Sequence, residues 1–128
     1  MDYILCGLIA LGGAIGAVGR FFLSTWISSK DAFIFPWGTF VVNVLGCFIL
    51  GFIYIVGTEK MLIGPQARTF LAVGMIGAFT TFSTFGLETI NLISSGNIRI
   101  ALFNIFGSVA LGLLAVWLGI VFAKLILG

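Results

Sequence analysis

The chain has 128 residues, 61% of them hydrophobic and 8% charged, with a formal net charge of +2. A soluble domain of this size carries charge on about a quarter of its residues, so that class is excluded, and a small scattered positive charge leaves no footprint for nucleic acid. There is no His, and the two cysteines fall inside apolar stretches, which argues against a transition-metal site and against a disulfide framework.

The charges stand at Asp2, Arg20, Lys30, Asp31, Glu59, Lys60, Arg68, Glu88, Arg99 and Lys124, and they leave uncharged runs at 3–19, 32–58, 69–87 and 100–123. A bilayer core of ~30 Å takes ~20 apolar residues as helix. The expectation is an all-α integral membrane protein of one domain, 1–128, with four transmembrane helices at about 3–25, 33–57, 66–94 and 98–126. The first run reads as a span and not as a cleaved signal peptide, because it follows Asp2 instead of a basic segment and ends at Arg20.

Helix 1 carries Gly12, Gly13, Gly16 and Gly19, a spacing that lets another helix approach closely. Arg20 follows, placed either to snorkel to the interface or to draw anions into a vestibule. The first loop is Ser28-Ser29-Lys30-Asp31, and Pro36-Trp37-Gly38 opens helix 2 with residues suited to a first turn and an interface. Asn43 sits near the middle of helix 2, where a buried amide must find partners, as glue between helices or as part of a polar lining.

Thr58-Glu59-Lys60 and Gly64-Pro65 form the second loop. Helix 3 then reads Gly74-Met75-Ile76-Gly77-Ala78-Phe79-Thr80-Thr81-Phe82-Ser83-Thr84-Phe85-Gly86 at its centre. Glycine costs a helix about 1 kcal/mol, and Ser and Thr hydroxyls compete for backbone bonds. A helix broken near Gly77–Thr80 is therefore expected, with midplane carbonyls that protein or a hard cation must satisfy. Phe82 and Phe85 share a face if helix resumes, and Ser83 and Thr84 lie between them. Ring edges carry the positive end of the aromatic quadrupole, so such a lining suits a small, strongly hydrogen-bonding anion. After the turn at Ser94-Ser95-Gly96-Asn97, Asn104 and Ser108 share one face of helix 4.

Charge does not choose an orientation. Lys60, Arg68 and Lys124 belong to one side of the membrane and Arg20, Lys30 and Arg99 to the other, so the positive-inside rule is balanced and insertion both ways up is expected. Four short-looped helices also pack around side chains without a water-filled lumen. A transport pathway then calls for a second copy, which the balanced charge permits to be antiparallel.

At these residues the chain resembles the Fluc (CrcB) fluoride channels over essentially its full length. The resemblance rests on Gly12-Gly13-x-x-Gly16 with Arg20-Phe21, on Pro36-Trp37-Gly38-Thr39 with Asn43 and Gly46, and on Gly74-x-x-Gly77-x-x-Thr80-Thr81-Phe82-Ser83-Thr84-Phe85. It implies a multi-pass protein of the cell membrane that lets fluoride leave passively, lowering its cytoplasmic concentration. It also implies a dual-topology antiparallel homodimer embedded in lipid, with two pores and a structural sodium ion (Na+) at the dimer centre. By position, Phe82 and Phe85 resemble the pore's aromatic pair, Asn43 the polar group beside it, and Ser83 and Thr84 the hydroxyl track, with Ser108 from helix 4. Gly77 and Thr80 resemble the backbone sodium ligands. Asn104 departs from the aromatic hydroxyl of some relatives. The alternative is a small dual-topology multidrug-type proton-coupled exporter, which needs an intramembrane carboxylate that helix 1 lacks after Asp2. No constellation of nucleophile, base and acid suggests an enzyme.

Overall fold

The computed structural model describes residues 2–30 and 34–128. These form four helices long and apolar enough to cross a membrane: α1 (Tyr3–Ser29), α2 (Trp37–Glu59), α3 (Pro65–Ser94) and α4 (Ile98–Leu127). The chain is thus a multi-pass membrane protein. Asp31 and the expected start of helix 2 at about 33 lie outside the described residues.

Helix ends follow from their caps. Asp2 accepts the Ile4 and Leu5 amides at 3.0 and 3.3 Å, satisfying donors that the first turn leaves free. α1 then runs through Ser28 and Ser29, beyond the expected end at about 25. Its serines turn inward instead of ending the helix: Ser24 donates to the Arg20 carbonyl at 2.7 Å and Ser29 to the Trp26 carbonyl at 2.8 Å. Lys30 closes this end with its ammonium 3.9 Å from the Trp26 ring centre.

Pro36 precedes α2 as its cap and leaves the helix to begin at Trp37. Phe35, Trp37, Phe40 and Phe103 gather beside it, Phe35 lying edge to face with Phe40 and Phe103 at 5.4 Å between ring centres and tilted against Trp37 at 4.6 Å. The last turn of α2, Ile55–Glu59, widens to a π-helix. Beyond it the Lys124–Glu59 ion pair of 3.4 Å and a hydrogen bond from Lys60 to the Gly128 carbonyl tie the C-terminus to this loop. Gly64 caps α3, with Pro65 in its first turn, and Gly96 takes φ 84 to turn the chain into α4.

Glycines set the packing. α1 lies against the first half of α3, and α2 chiefly against α4. A Cβ on Gly12 would sit 2.6 Å from the Phe70 carbonyl oxygen, and one on Gly16 would collide with the Met75 carbonyl. Across the other pair, Gly51 faces the Val116 carbonyl and Gly119 the Phe48 carbonyl at the same closeness. Backbone meets backbone there, the contact that replaces hydrophobic burial where lipid is the solvent. The outer surface is correspondingly apolar, with Phe21, Phe22, Leu113, Trp117 and Leu125 all exposed.

Candidate functional site

The middle of α3 departs from helix. Gly77–Phe79 is helical, Thr80 and Thr81 are extended with φ/ψ of −83°/156° and −148°/118°, and helix resumes at Phe82. Gly46 of α2 makes room for this, since a Cβ there would collide with the Thr80 methyl group. One turn earlier on α2, Asn43 reaches the Thr81 peptide. Its Nδ2 donates to the Thr81 carbonyl at 3.0 Å, and its Oδ1 accepts the Thr81 amide at 2.8 Å.

That clamp redirects the backbone. In an uninterrupted helix the Thr81 amide would bond the Gly77 carbonyl and the Thr84 amide the Thr80 carbonyl. Instead the Thr81 amide goes to Asn43, and the Thr84 amide goes to the Thr81 hydroxyl at 3.2 Å. The carbonyls of Gly77 and Thr80 are released from their helical donors. Gly77 is exposed, and a Cβ there would meet only the Ala72 carbonyl oxygen, at 3.5 Å.

Two clefts meet at Thr81. The first, of ≈ 260 Å³, brings together Asn43, Phe82, Phe85 and Ser108 with Thr80 and Thr81. The two Phe ring centres lie 5.6 Å apart, and Phe82 is 83% exposed on the subunit surface. The second cleft, of ≈ 200 Å³, is lined by Arg20, Ser24, Thr39, Thr81 and Thr84 among others. Arg20 and Thr84 thus stand apart from the aromatic pair, with Thr81 between. Ser83 is exposed and lines neither cleft; its Oγ lies 3.4 Å from that of Thr81. Thr81 also donates to the Thr84 Oγ1 at 3.0 Å.

A polar seam continues along the second half of α3. Thr39 donates to Glu88 Oε1 at 2.8 Å, while the buried Oε2 has no partner among the described residues. Further on, Asn104 Nδ2 donates to Thr89 Oγ1 at 3.0 Å, and Ser108 donates to Asn104 Oδ1 at 3.1 Å. Sequence reasoning left Thr81, Thr39 and Thr89 out of the site. The run of hydroxyls around position 81 was a signal for the first, but Thr39 and Thr89 are ordinary span residues until helix rotation gives them polar neighbours.

Four apolar spans, with a polar seam and two clefts that share Thr81 of the third, define a small multi-pass membrane protein. Residues 7–120 match the family described as CrcB-like protein, Camphor Resistance (CrcB). The chain is 48% identical over 118 residues to the fluoride-specific ion channel FluC of Magnetococcus marinus, covering 92% of this chain and 96% of that one. It is 50% identical over 113 residues to the FluC of Opitutus terrae, covering 87% and 86%. With FluC 1 of Moorella thermoacetica it shares 44% identity over 117 residues, covering 91% and 84%. The chain belongs to the CrcB-like family, and these relatives lend the proton-coupled exporter no support.

Proposed function

We propose that this protein is a fluoride-selective channel of the cell membrane, through which fluoride leaves passively and its cytoplasmic concentration falls. The observation that carries this is the convergence of Asn43, Phe82, Phe85 and Ser108 on one cleft at mid-span. Fluoride holds its hydration shell tightly, so a path for it must offer hydrogen-bond donors and positive ring edges without a fixed cation that would trap it. Arg20 lies in the neighbouring cleft, where its charge gathers anions without blocking the narrow part.

The working unit in this proposal is an antiparallel, dual-topology homodimer in lipid. Balanced cations on the two sides support it, as does Phe82, whose exposed ring at mid-span completes a lining only when a second subunit covers it. α3 then serves as a broken helix at the membrane centre, and Ser83 turns toward the partner. Sodium fits the break. The donor set is two carbonyls, Gly77 and Thr80, whose helical donors are diverted to Asn43 and the Thr81 hydroxyl. Carbonyl oxygens are hard ligands suited to an alkali cation. Two subunits would supply four, and the ion would lend positive charge to the dimer centre.

The test is ion flux from liposomes holding the purified protein. Rapid electrogenic fluoride efflux with chloride retained is the expected result, slowed when sodium is replaced by a large organic cation. Equal fluoride and chloride flux would overturn the proposal.

A further inference from the structure

Several hydroxyls within the spans donate to a backbone carbonyl of their own span. Ser24 donates to the Arg20 carbonyl at 2.7 Å, Thr80 to the Ile76 carbonyl at 3.1 Å and Thr89 to the Phe85 carbonyl at 2.7 Å, each four residues back on its own helix. In a bilayer this is the default bond of a helical Ser or Thr, because the backbone carbonyl is the nearest acceptor. Ser108 does not make this bond, and unlike Thr39 and Thr81, which bond the side chains of Glu88 and Thr84, it has as acceptor a buried amide on its own helix. It donates to the side-chain Oδ1 of Asn104 at 3.1 Å, not to the Asn104 backbone carbonyl.

Asn104 is 1% exposed and lines neither cleft described above. Its amide is fixed from the other side by Thr89 at 3.0 Å, and Thr89 is itself anchored on the Phe85 carbonyl. A hydrogen-bonded chain therefore runs from the backbone of a cleft-lining Phe, through Thr89 and Asn104, to the cleft-lining Ser108. Each buried polar atom along it is satisfied by the next.

We propose that Asn104 is a positioning residue that holds the Ser108 hydroxyl at the anion cleft by keeping it off the helix backbone. This inference rests on the fluoride-channel proposal above. A hydroxyl bonded to its own backbone carbonyl is committed to a fixed acceptor. One bonded to a side-chain amide keeps its oxygen at the cleft wall and can swing its proton to a passing anion. Without Asn104 the Ser108 hydroxyl falls back to the i−4 carbonyl and is lost to the anion, so removing Asn104 is equivalent to removing the Ser108 hydroxyl.

Fluoride efflux from liposomes is compared for the parent, Asn104→Leu, Ser108→Ala and the double variant, each first checked to elute in detergent as the parent does. Each single change is expected to slow efflux by about fivefold, the weight of one neutral hydrogen bond, with the double variant no slower than either. A double variant slowed by the product of the two factors, or Asn104→Leu conducting like the parent, overturns the inference. If Asn104→Leu does not assemble, Thr89→Val takes its place. It keeps the shape of the side chain and removes the acceptor that fixes the Asn104 amide. It is expected to slow efflux with Ser108 present and to have no effect in the Ser108→Ala background; an equal effect in both backgrounds overturns the inference. A parent that passes no fluoride overturns the channel proposal and this one together, whereas a conducting parent with independent effects overturns this one alone.

Discussion

Asn43 holds the Thr81 peptide by both ends, accepting its amide at 2.8 Å and donating to its carbonyl at 3.0 Å. Asparagine is the shortest side chain that can do both at once. The clamp sits between the Gly77 and Thr80 carbonyls on one side and the Phe82–Phe85 pair on the other.

Asn43→Asp tests the clamp with almost no change in shape. A carboxylate still accepts the Thr81 amide but cannot donate to the carbonyl, which is left without its partner. The variant is expected to be destabilised by about 1–3 kcal/mol, the cost of one orphaned polar group, read as a fall in unfolding temperature in detergent. Fluoride efflux should fall with it. An unchanged melting temperature would show that the clamp does not hold the interruption.

Gly16→Ala places a methyl group against the Met75 carbonyl. Backbone cannot yield as a side-chain tip can, so a loss of about 3 kcal/mol or more is expected, seen as aggregation or loss of a single species on size-exclusion chromatography. Gly7→Ala is the control, because nothing lies within 4 Å of a Cβ there. It should assemble as the parent does.

Phe82→Ile and Phe85→Ile remove the aromatic edges while keeping apolar bulk. Each is expected to slow fluoride efflux by about tenfold, the scale of a contact worth ~1.4 kcal/mol, without changing assembly. Parental conduction by both variants would make the rings packing and nothing more.

Balanced flanking charge predicts that a short tag after Gly128 is labelled from both faces of the membrane in intact cells. Two added lysines in the second loop should then confine it to the cytoplasmic face. Labelling of the parent from one face only would refute dual insertion.

The spans were legible because charge is costly in hydrocarbon, so Arg20, Glu59 and Arg99 mark where apolar stretches can begin and end. The centre of the third span could be singled out through its glycines and hydroxyls, which are poor helix formers together, although Gly77–Phe79 is helical and the extended residues are Thr80 and Thr81. Asn43 could be singled out as an amide needing partners, but not matched to Thr81, since that pairing depends on how α2 is rotated and on Gly46 admitting the Thr80 methyl. Asn104 and Ser108 could be placed on one face by spacing alone. Thr89 joins them only through the approach of α3 to α4, which no local pattern encodes. The π-helical turns at Ile55–Glu59 and Thr69–Ile76 had no signal in the sequence either, because one extra residue per turn is a response to packing and not a propensity.

The two halves of α3 are fastened by different means, and this decides how each can change over generations. The first half meets α1 through glycine and bare carbonyls at Gly12 and Gly16, where an added Cβ collides with backbone that no side-chain substitution moves. The second half is tied by side-chain partners, Thr39 with Glu88 and Asn104 with Thr89. Such partners can be exchanged in pairs, a new donor for a new acceptor. Descendants of this gene are therefore free to rewrite the polar seam two residues at a time, while the glycine contacts must be inherited as they stand.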